Sequence, residues 1–455
     1  MLPTTDSTAI VALRGPTVHF DADPFIVGDD ALRYEPDSLI IIQGGTIRAV
    51  DSYNALRGQV PAEAVTHYPE SLILPGFIDT HVHYPQTQMI GAYGAQLIDW
   101  LNEYTFVSEQ QFADPEHAAA VSRFFLNECL RVGTTTALVY CTVHPESVDA
   151  FFDAASSLGM RMIAGKVLMD RNAPPELRDT VQGGYDDSLA LIDKWHGKDR
   201  LLYAVTPRFA PTSTPEQLEA AAALWKLRPD AYMQTHLSEN LAELDWVAQL
   251  FPERRDYFDV YEHFGLAGPR AVFGHSIHLS EREWQRLAET DSSIAHCPTS
   301  NGFLGSGLFN FQRAKQAVPP AKSVRTGMAT DVGAGTSLSM LQTMGQAYKI
   351  GQLGGYSLSA AKALYLATRG AAHALHLEDK IGSIAPGMEA DLLVLDLKST
   401  PLIDFRMKYC KDIHEALFIQ MTLADDRATQ AVYIQGRQAY ARGSQDAPVP
   451  HHALS

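Results

Sequence analysis

Residues 74–85 read L-P-G-F-I-D-T-H-V-H-Y-P, the end of an apolar run that begins at Ser71 and closes on His81 and His83. Side chains two apart on a β-strand point to the same side. His81 and His83 therefore project together, roughly 6–7 Å apart along the strand at its usual rise. Two imidazoles on one face at a strand's end can converge on one metal ion. Pro75 and Gly76 mark where the chain enters that strand and Pro85 where it leaves. Such a histidine pair also occurs on ordinary surfaces, so the rest of the chain must decide what it means.

On the carboxyl side, strands and helices alternate. Glu116–Val132 has apolar positions at helical spacing and stops before Gly133, and Thr134–Tyr140 is β-branched and apolar. Helical stretches over Ser147–Leu158, Leu189–Trp195, Leu338–Ile350 and Ser359–Leu375 are interleaved with strands. These strands span Met160–Leu168, Leu201–Thr206, Ala231–His236, Ala271–His275, Ser293–His296 and Ser323–Thr330. Thr214-Pro215-Glu216-Gln217 is a helix start with an N-cap and a proline at the first position, and S-E-R-E from Ser280 is a capping box. Repeated strand–helix units over 72–381 predict a parallel sheet of about eight strands covered by helices, a (β/α)8 TIM-like barrel.

Both flanks differ. Before residue 71, Thr8–Leu13 is apolar, and Ser38–Gln43, Gly44-Gly45 and Thr46–Val50 form a hairpin signal. After 382, Asp391–Asp396 is a strand, and Ala431–Tyr440 is hairpin-like around Gly436. Both termini are expected to build one small β-sandwich, 1–71 with 382–443, around an inserted barrel, leaving 444–455 as a loose tail.

The active end of such a barrel is formed by the carboxyl ends of its strands. The first strand ends in His81 and His83, later ones in His236 and His275, and the last in Asp331. Three imidazoles and a carboxylate suit a borderline divalent ion, zinc or less readily iron. His81, His83, His236 and Asp331 are the expected ligands. Glu239, three residues after His236, is placed to move protons without binding the metal; its plain alternative is a first-turn glutamate at a helix N-terminus.

The chain has 455 residues, 46% of them hydrophobic, and a formal net charge of -17. That charge repels phosphate backbones and argues against a nucleic-acid partner, though not against a free base as substrate. No apolar run approaches the ~20 residues needed to span a bilayer, so no membrane association is expected. The N-terminus shows no secretory pattern, and the 4 cysteines, Cys129, Cys141, Cys297 and Cys410, form no C-x-x-C pair. A reducing, cytoplasmic location is expected. His144-Pro145-Glu146 imitates the H-x-E of small zinc deaminases, but the P-C-x-x-C these require is absent. His263, His278 and His296 are candidates for the site's neighbourhood only, and His373, His376, His451 and His452 read as structural or exposed.

P-G-F-I-D-T-H-V-H-Y-P-Q-T, T-P-R-F-A-P-T, T-H-L-S-E-N, G-H-S-I-H-L, A-H-C-P-T-S-N and T-D-V-G-A-G-T-S resemble the guanine deaminases of the amidohydrolase superfamily. The resemblance covers almost the whole chain. It implies zinc, one per subunit, on His81, His83, His236 and Asp331. Glu239 is implied as proton shuttle, and His275 as hydrogen-bond partner of the attacking water or the developing oxyanion. Gln86, Arg208 and Phe209, with His236, Glu239 and Asp331, would bind the base. The residue types agree: Arg208 is a donor-only fork for a carbonyl oxygen, Gln86 offers donor and acceptor, and Phe209 packs on a flat ring. The implied reaction is hydrolysis of guanine to xanthine and ammonia by a metal-activated water, with Asp331, Glu239 and His275 catalytic. A homodimer is expected from the resemblance and from base rates. Gly302 departs from the pattern, where a larger apolar residue is expected. The nearest rival is a deaminase of the same fold acting on 8-oxoguanine, a pterin, cytosine or a chlorinated triazine. A rival of another class is a non-catalytic barrel scaffold, which should have lost ligands.

Overall fold

The computed structural model describes residues 10–93, 100–317 and 323–443. The start of the expected Thr8–Leu13 run and the 444–455 tail lie outside these. In chain order the strands are β1 (Ile10–Phe20), β2 (Leu32–Gln43), β3 (Thr46–Ser52), β4 (Val65–His67) and β5 (Ser71–Pro75). The barrel follows with β6 (Phe77–His83), β7 (Thr134–Tyr140), β8 (Arg161–Gly165), β9 (Val167–Leu168), β10 (Leu202–Pro207), β11 (Tyr232–Leu237), β12 (Ala271–His275), β13 (Ser293–His296) and β14 (Arg325–Met328). β15 (Leu392–Asp396), β16 (Thr429–Ile434) and β17 (Arg437–Ala441) complete the chain.

Two sheets result. One runs β17-β16-β15-β5-β1-β2-β3, with β4 beside β1, and so draws on both termini. Ile47 of β3 and Tyr433 of β16, from opposite ends of that path, share a core with Leu13, Ile40, Ile73 and Val394. The sheet therefore folds over on itself as a small sandwich. The expected hairpin is present: Gln43 pairs with Thr46, and Gly44 and Gly45 take φ of 60° and 81°, the conformation a two-residue turn requires.

The other sheet is the barrel, in the order β14-β13-β12-β11-β10-β8-β7-β6 with β9 extending onto β10; its pairs are parallel. Main-chain bonds close it: Asp331 N to His81 O (3.0 Å) and His83 N to Val332 O (2.9 Å). The closing seam thus passes through the first and last of the expected ligand positions.

The chain changes sheets at Gly76. Ser71–Pro75 pairs with β15, and Phe77 N already bonds Gly133 O in the barrel. A division after residue 71 therefore cuts through β5. A Cβ at position 76 would meet Thr135 Oγ1 at 2.2 Å, so only glycine lets the layers approach this closely.

Helices cover the barrel much as the periodicity predicts, with several differences, among them Leu241–Leu250 and Tyr257–Phe264, which no expectation covered. The helix expected over Leu189–Trp195 spans Val181–Trp195. Gly183 and Gly184, poor helix formers, hide its first turn, which Thr180 caps by accepting from Gly183 N. The helix expected over Ser359–Leu375 is broken at Thr368 (φ −132°, ψ −102°), where the Gly382 turn packs against the backbone. Two helices, Pro401–Met407 and Ile413–Leu423, interrupt the region read as purely β.

A buried ion network joins the layers. Arg200 Nη1 donates to Glu389 (2.6 Å) and Asp391 (2.8 Å), and its Nε and Nη2 donate to Gly159 O. Arg161 also pairs with Glu389. Replacing Arg200 with Met leaves Asp391, whose side chain is 2% exposed, without its counter-ion. A loss of about 3–5 kcal/mol is expected, to be read as a lowered midpoint in urea unfolding.

Candidate active site

The end of β6 is fully buried, and the rings of His81 and His83 lie with centroids 5.1 Å apart, as the alternation of side chains requires. Space for His81 is made by Gly274 of β12, where a Cβ would meet the ring carbon Cε1 at 2.6 Å. His236 enters from the end of β11, and Asp331 from just past β14. At these strand ends the backbone takes the left-handed region: φ is 51° at Ser238, 68° at His275 and 49° at Asp331. Such conformations carry strain that persists where surrounding structure enforces it.

The donor atoms converge. His83 Nε2 lies 3.2 Å from His236 Nε2. Asp331 Oδ1 is 3.3 Å from His81 Nε2 and 3.5 Å from His83 Nε2. His81 Nε2 is buried and makes no hydrogen bond among the described residues. His236 donates from Nδ1 to Arg208 O (2.7 Å), which leaves its Nε2 lone pair facing inward. Burial lowers the pKa of His81, and burial plus neighbouring imidazoles lowers His83 and His236 well below the usual value. All three are thus held neutral, the form in which an imidazole can bind a cation. Burial works against the charge of Asp331, yet His275 and His81 beside it bring it down to about 2. Neutral nitrogens aimed at one another and at an ionised oxygen repel until a cation sits among them, so the residues fit a divalent ion.

Around this cluster stand the proton-handling groups. Glu239 is buried and its pKa is raised to about 7. Burial is the main cause, His275 opposes it, and Asp331 and Glu243 add to it. Ser306 Oγ donates to its Oε1 (3.1 Å). Glu239 is not the glutamate that caps the following helix, Leu241–Leu250; Glu243 takes that part with Asn240. Glu243 Oε2 also accepts from the Glu239 backbone N–H (2.9 Å). His275 Nε2 lies 3.4 Å from Glu239 and 3.6 Å from Asp331, and its Nδ1 is 2.8 Å from Asn301 Oδ1. Burial opposes its charge, but the carboxylates of Glu239 and Asp331 prevail and raise its pKa.

A cavity opens on these groups, lined by His83, Gln86, Arg208, Phe209, His236, Glu239, His275 and Asp331, with Trp100, Leu101, Glu243, Leu304 and Ala334. The residues read from strand ends and those implied by resemblance thus meet at one place. The remaining histidines among the described residues do not; His451 and His452 lie outside these. His144 stands at the N-cap position of the helix Pro145–Leu158 without a side-chain capping bond, and His296 stacks on Phe309. His278 supports the site indirectly, its Nε2 lying 2.7 Å from the carbonyl of Ser306. Gly302 has open space around its Cβ position and lines no part of the cavity.

Four groups escaped the sequence reading. Glu109 holds Arg208 and Gln86, Asn301 holds His275, and Ser306 holds Glu239. Cys297 lies within reach of His81, His275 and Asp331. Burial, with Asp331 adding to it, pushes its thiol pKa well up, and its Sγ donates to Ala295 O, so it remains a thiol beside the ligands. Only the A-H-C-P-T-S-N stretch held any signal for these, through Cys297 and Asn301.

A parallel barrel whose strand ends bring neutral imidazoles, an ionised carboxylate and a protonatable glutamate to one cavity defines a metal-dependent hydrolase. The amidohydrolase family model matches residues 72–439. Guanine deaminase of Escherichia coli is 51% identical over 413 residues, 90% of this chain and 93% of that protein. Human guanine deaminase is 32% identical over 378 residues, 80% of this chain and 82% of that one. The solved E. coli enzyme superposes with a TM-score of 0.92 at 49% identity, covering 95% of this chain and 100% of its own. Guanine deaminase from C. acetobutylicum, solved with guanine in its active site, gives 0.84 at 27% identity over 95% and 100%. The chain belongs to the amidohydrolase family, within its guanine deaminase group.

Proposed function

We propose that the protein hydrolyses guanine to xanthine and ammonia with one zinc ion per subunit. The observation that carries this reading is the cavity in which His83, His236 and Asp331 of the ligand cluster, Glu239 and the base-reading set Gln86, Arg208 and Phe209 meet. The guanine deaminase relatives support the substrate. The three-nitrogen, one-oxygen donor set with no thiolate supports zinc, iron being the alternative.

His81, His83, His236 and Asp331 would hold the ion. When bound, it supplies the Lewis acidity that makes a water nucleophilic near neutral pH. Arg208 and Gln86 hold the polar edge of the base, and Phe209 packs against its ring, which fixes C2 at the catalytic groups. Asp331, ionised, takes the proton of the attacking water. Glu239, near 7, gives a proton to the ring nitrogen beside C2 and then carries one to the leaving amine. His275 donates to the oxygen on which charge develops. The balance is one water consumed and one ammonia released: the proton that Glu239 carries to the amine comes from the new hydroxyl, and the proton taken by Asp331 returns to Glu239, which restores both carriers.

The test is ammonia release from guanine by metal-assayed protein. Brisk release with xanthine as product and about one zinc per chain is the expected result. A zinc-loaded protein that leaves guanine unchanged but deaminates 8-oxoguanine or a pterin moves the assignment within the fold. We further read the chain as a cytoplasmic homodimer, on the sparse, unpaired cysteines and on the prevalence of two-fold assemblies. Light scattering of the purified protein checks the dimer.

A further inference from the structure

Behind the reading side chains sits Glu109, 1% exposed and outside the cavity lining. It ends the short helix Phe106–Glu109. Its two oxygens go to different partners. Oε2 accepts from Arg208 Nη1 at 2.7 Å, and Oε1 accepts from Gln86 Nε2 at 3.0 Å. The other end of the Gln86 amide is also fixed, since Oε1 accepts from Gly333 N at 3.1 Å.

Two consequences follow from these bonds. First, the Gln86 amide cannot turn over. An acceptor-only carboxylate on one side and a backbone donor on the other decide which end is nitrogen. The cavity is therefore offered one remaining N–H and one remaining oxygen lone pair in a set order. Second, the buried guanidinium of Arg208 carries its counter-charge with it. Glu109 is the carboxylate within ion-pair distance of Arg208 among the described residues. The reading end is then neutral in sum while still rich in donors. Such an end favours an uncharged base with a carbonyl acceptor. It gives no Coulomb advantage to an anionic purine, which an unpaired arginine would attract strongly in a site of low dielectric.

We infer that Glu109 is the positioning residue that sets substrate selection here: it locks the Gln86 amide and cancels the charge of Arg208, so that a neutral lactam base is preferred over an anionic one. This rests on the guanine reading above.

The experiment compares wild type with Glu109→Gln, using guanine as substrate and urate, a purine that is anionic at neutral pH, as competitive inhibitor. The variant keeps the shape but removes the charge and forces one donor against a donor. The expected result is a crossover. kcat/KM for guanine falls about 100-fold, mainly through KM, while urate inhibits about tenfold more tightly, at unchanged zinc content. Parallel weakening of guanine and urate, or a loss confined to kcat, overturns the inference. Should the variant fail to fold, Glu109→Asp keeps the charge and shortens the reach. It is expected to raise KM for guanine without any gain for urate, and tighter urate inhibition there overturns the inference. A wild type that does not turn over guanine is a separate failure, that of the substrate assignment itself.

Discussion

Glu239→Gln is expected to bind guanine nearly as well as the wild type and to lose about 10²–10⁴-fold in kcat. The substitution is nearly isosteric. The backbone around position 239 is held independently of the side chain, by Glu243 Oε2 on its N–H, and Ser306 Oγ can still donate to an amide oxygen. What disappears is the proton. Burial with the neighbouring Asp331 and Glu243 puts Glu239 at about 7 against the pull of His275, so near neutrality it both gives and takes protons. An amide does neither. Because the group acts on the reacting atoms and not on the resting base, the loss falls on kcat with KM little changed. Steady-state kinetics with guanine, together with a binding isotherm for the variant, reads both numbers. Turnover near the wild-type rate would remove Glu239 from the mechanism; a rise in KM alone would make it a binding group.

Taking the metal away is expected to abolish activity and to lower stability together. Chelated protein should retain under about 1% of its rate and recover when zinc is returned. His83→Ala should purify with little metal and not recover. His83 is the decisive ligand to remove, because its Nε2 faces both His236 Nε2 at 3.2 Å and Asp331 Oδ1 at 3.5 Å. The stability effect follows from linkage: an ion that binds only the folded state adds about 4 kcal/mol when present at a thousand times its Kd. Calorimetry of holo and chelated protein reads that difference. An apo protein as active as the holo form would refute the metal's role outright.

The limits of sequence reading fall along a physical line. His81, His83, His236, His275 and Asp331 could be picked out because strands of this barrel end at one face, so a polar residue after an apolar run has a defined destination. Thr214 and Ser280 announced helix starts, and the side chains do accept from Gln217 N and Glu283 N, since capping needs only residues three apart. Where several residues must agree at a distance, the local signal failed. The break at Thr368 is imposed by the turn at Gly382, and the helices at 401–407 and 413–423 are stabilised by the layer beneath them, as Ile403, Leu417 and Met421 in the main core show.

By itself, then, the chain's alternation of apolar runs and end-of-strand polar residues determined a barrel, its active face and its ligand types, because periodicity and capping act over a few residues. Tertiary structure alone decided that Glu109 from a helical turn before the second barrel strand reaches Arg208, 99 positions on. It likewise brought Asn301 behind His275 and Ser306 onto Glu239. These partners follow from how a closed barrel folds its loops over one end, and no period in the sequence encodes which remote side chain arrives to complete a buried charge or amide.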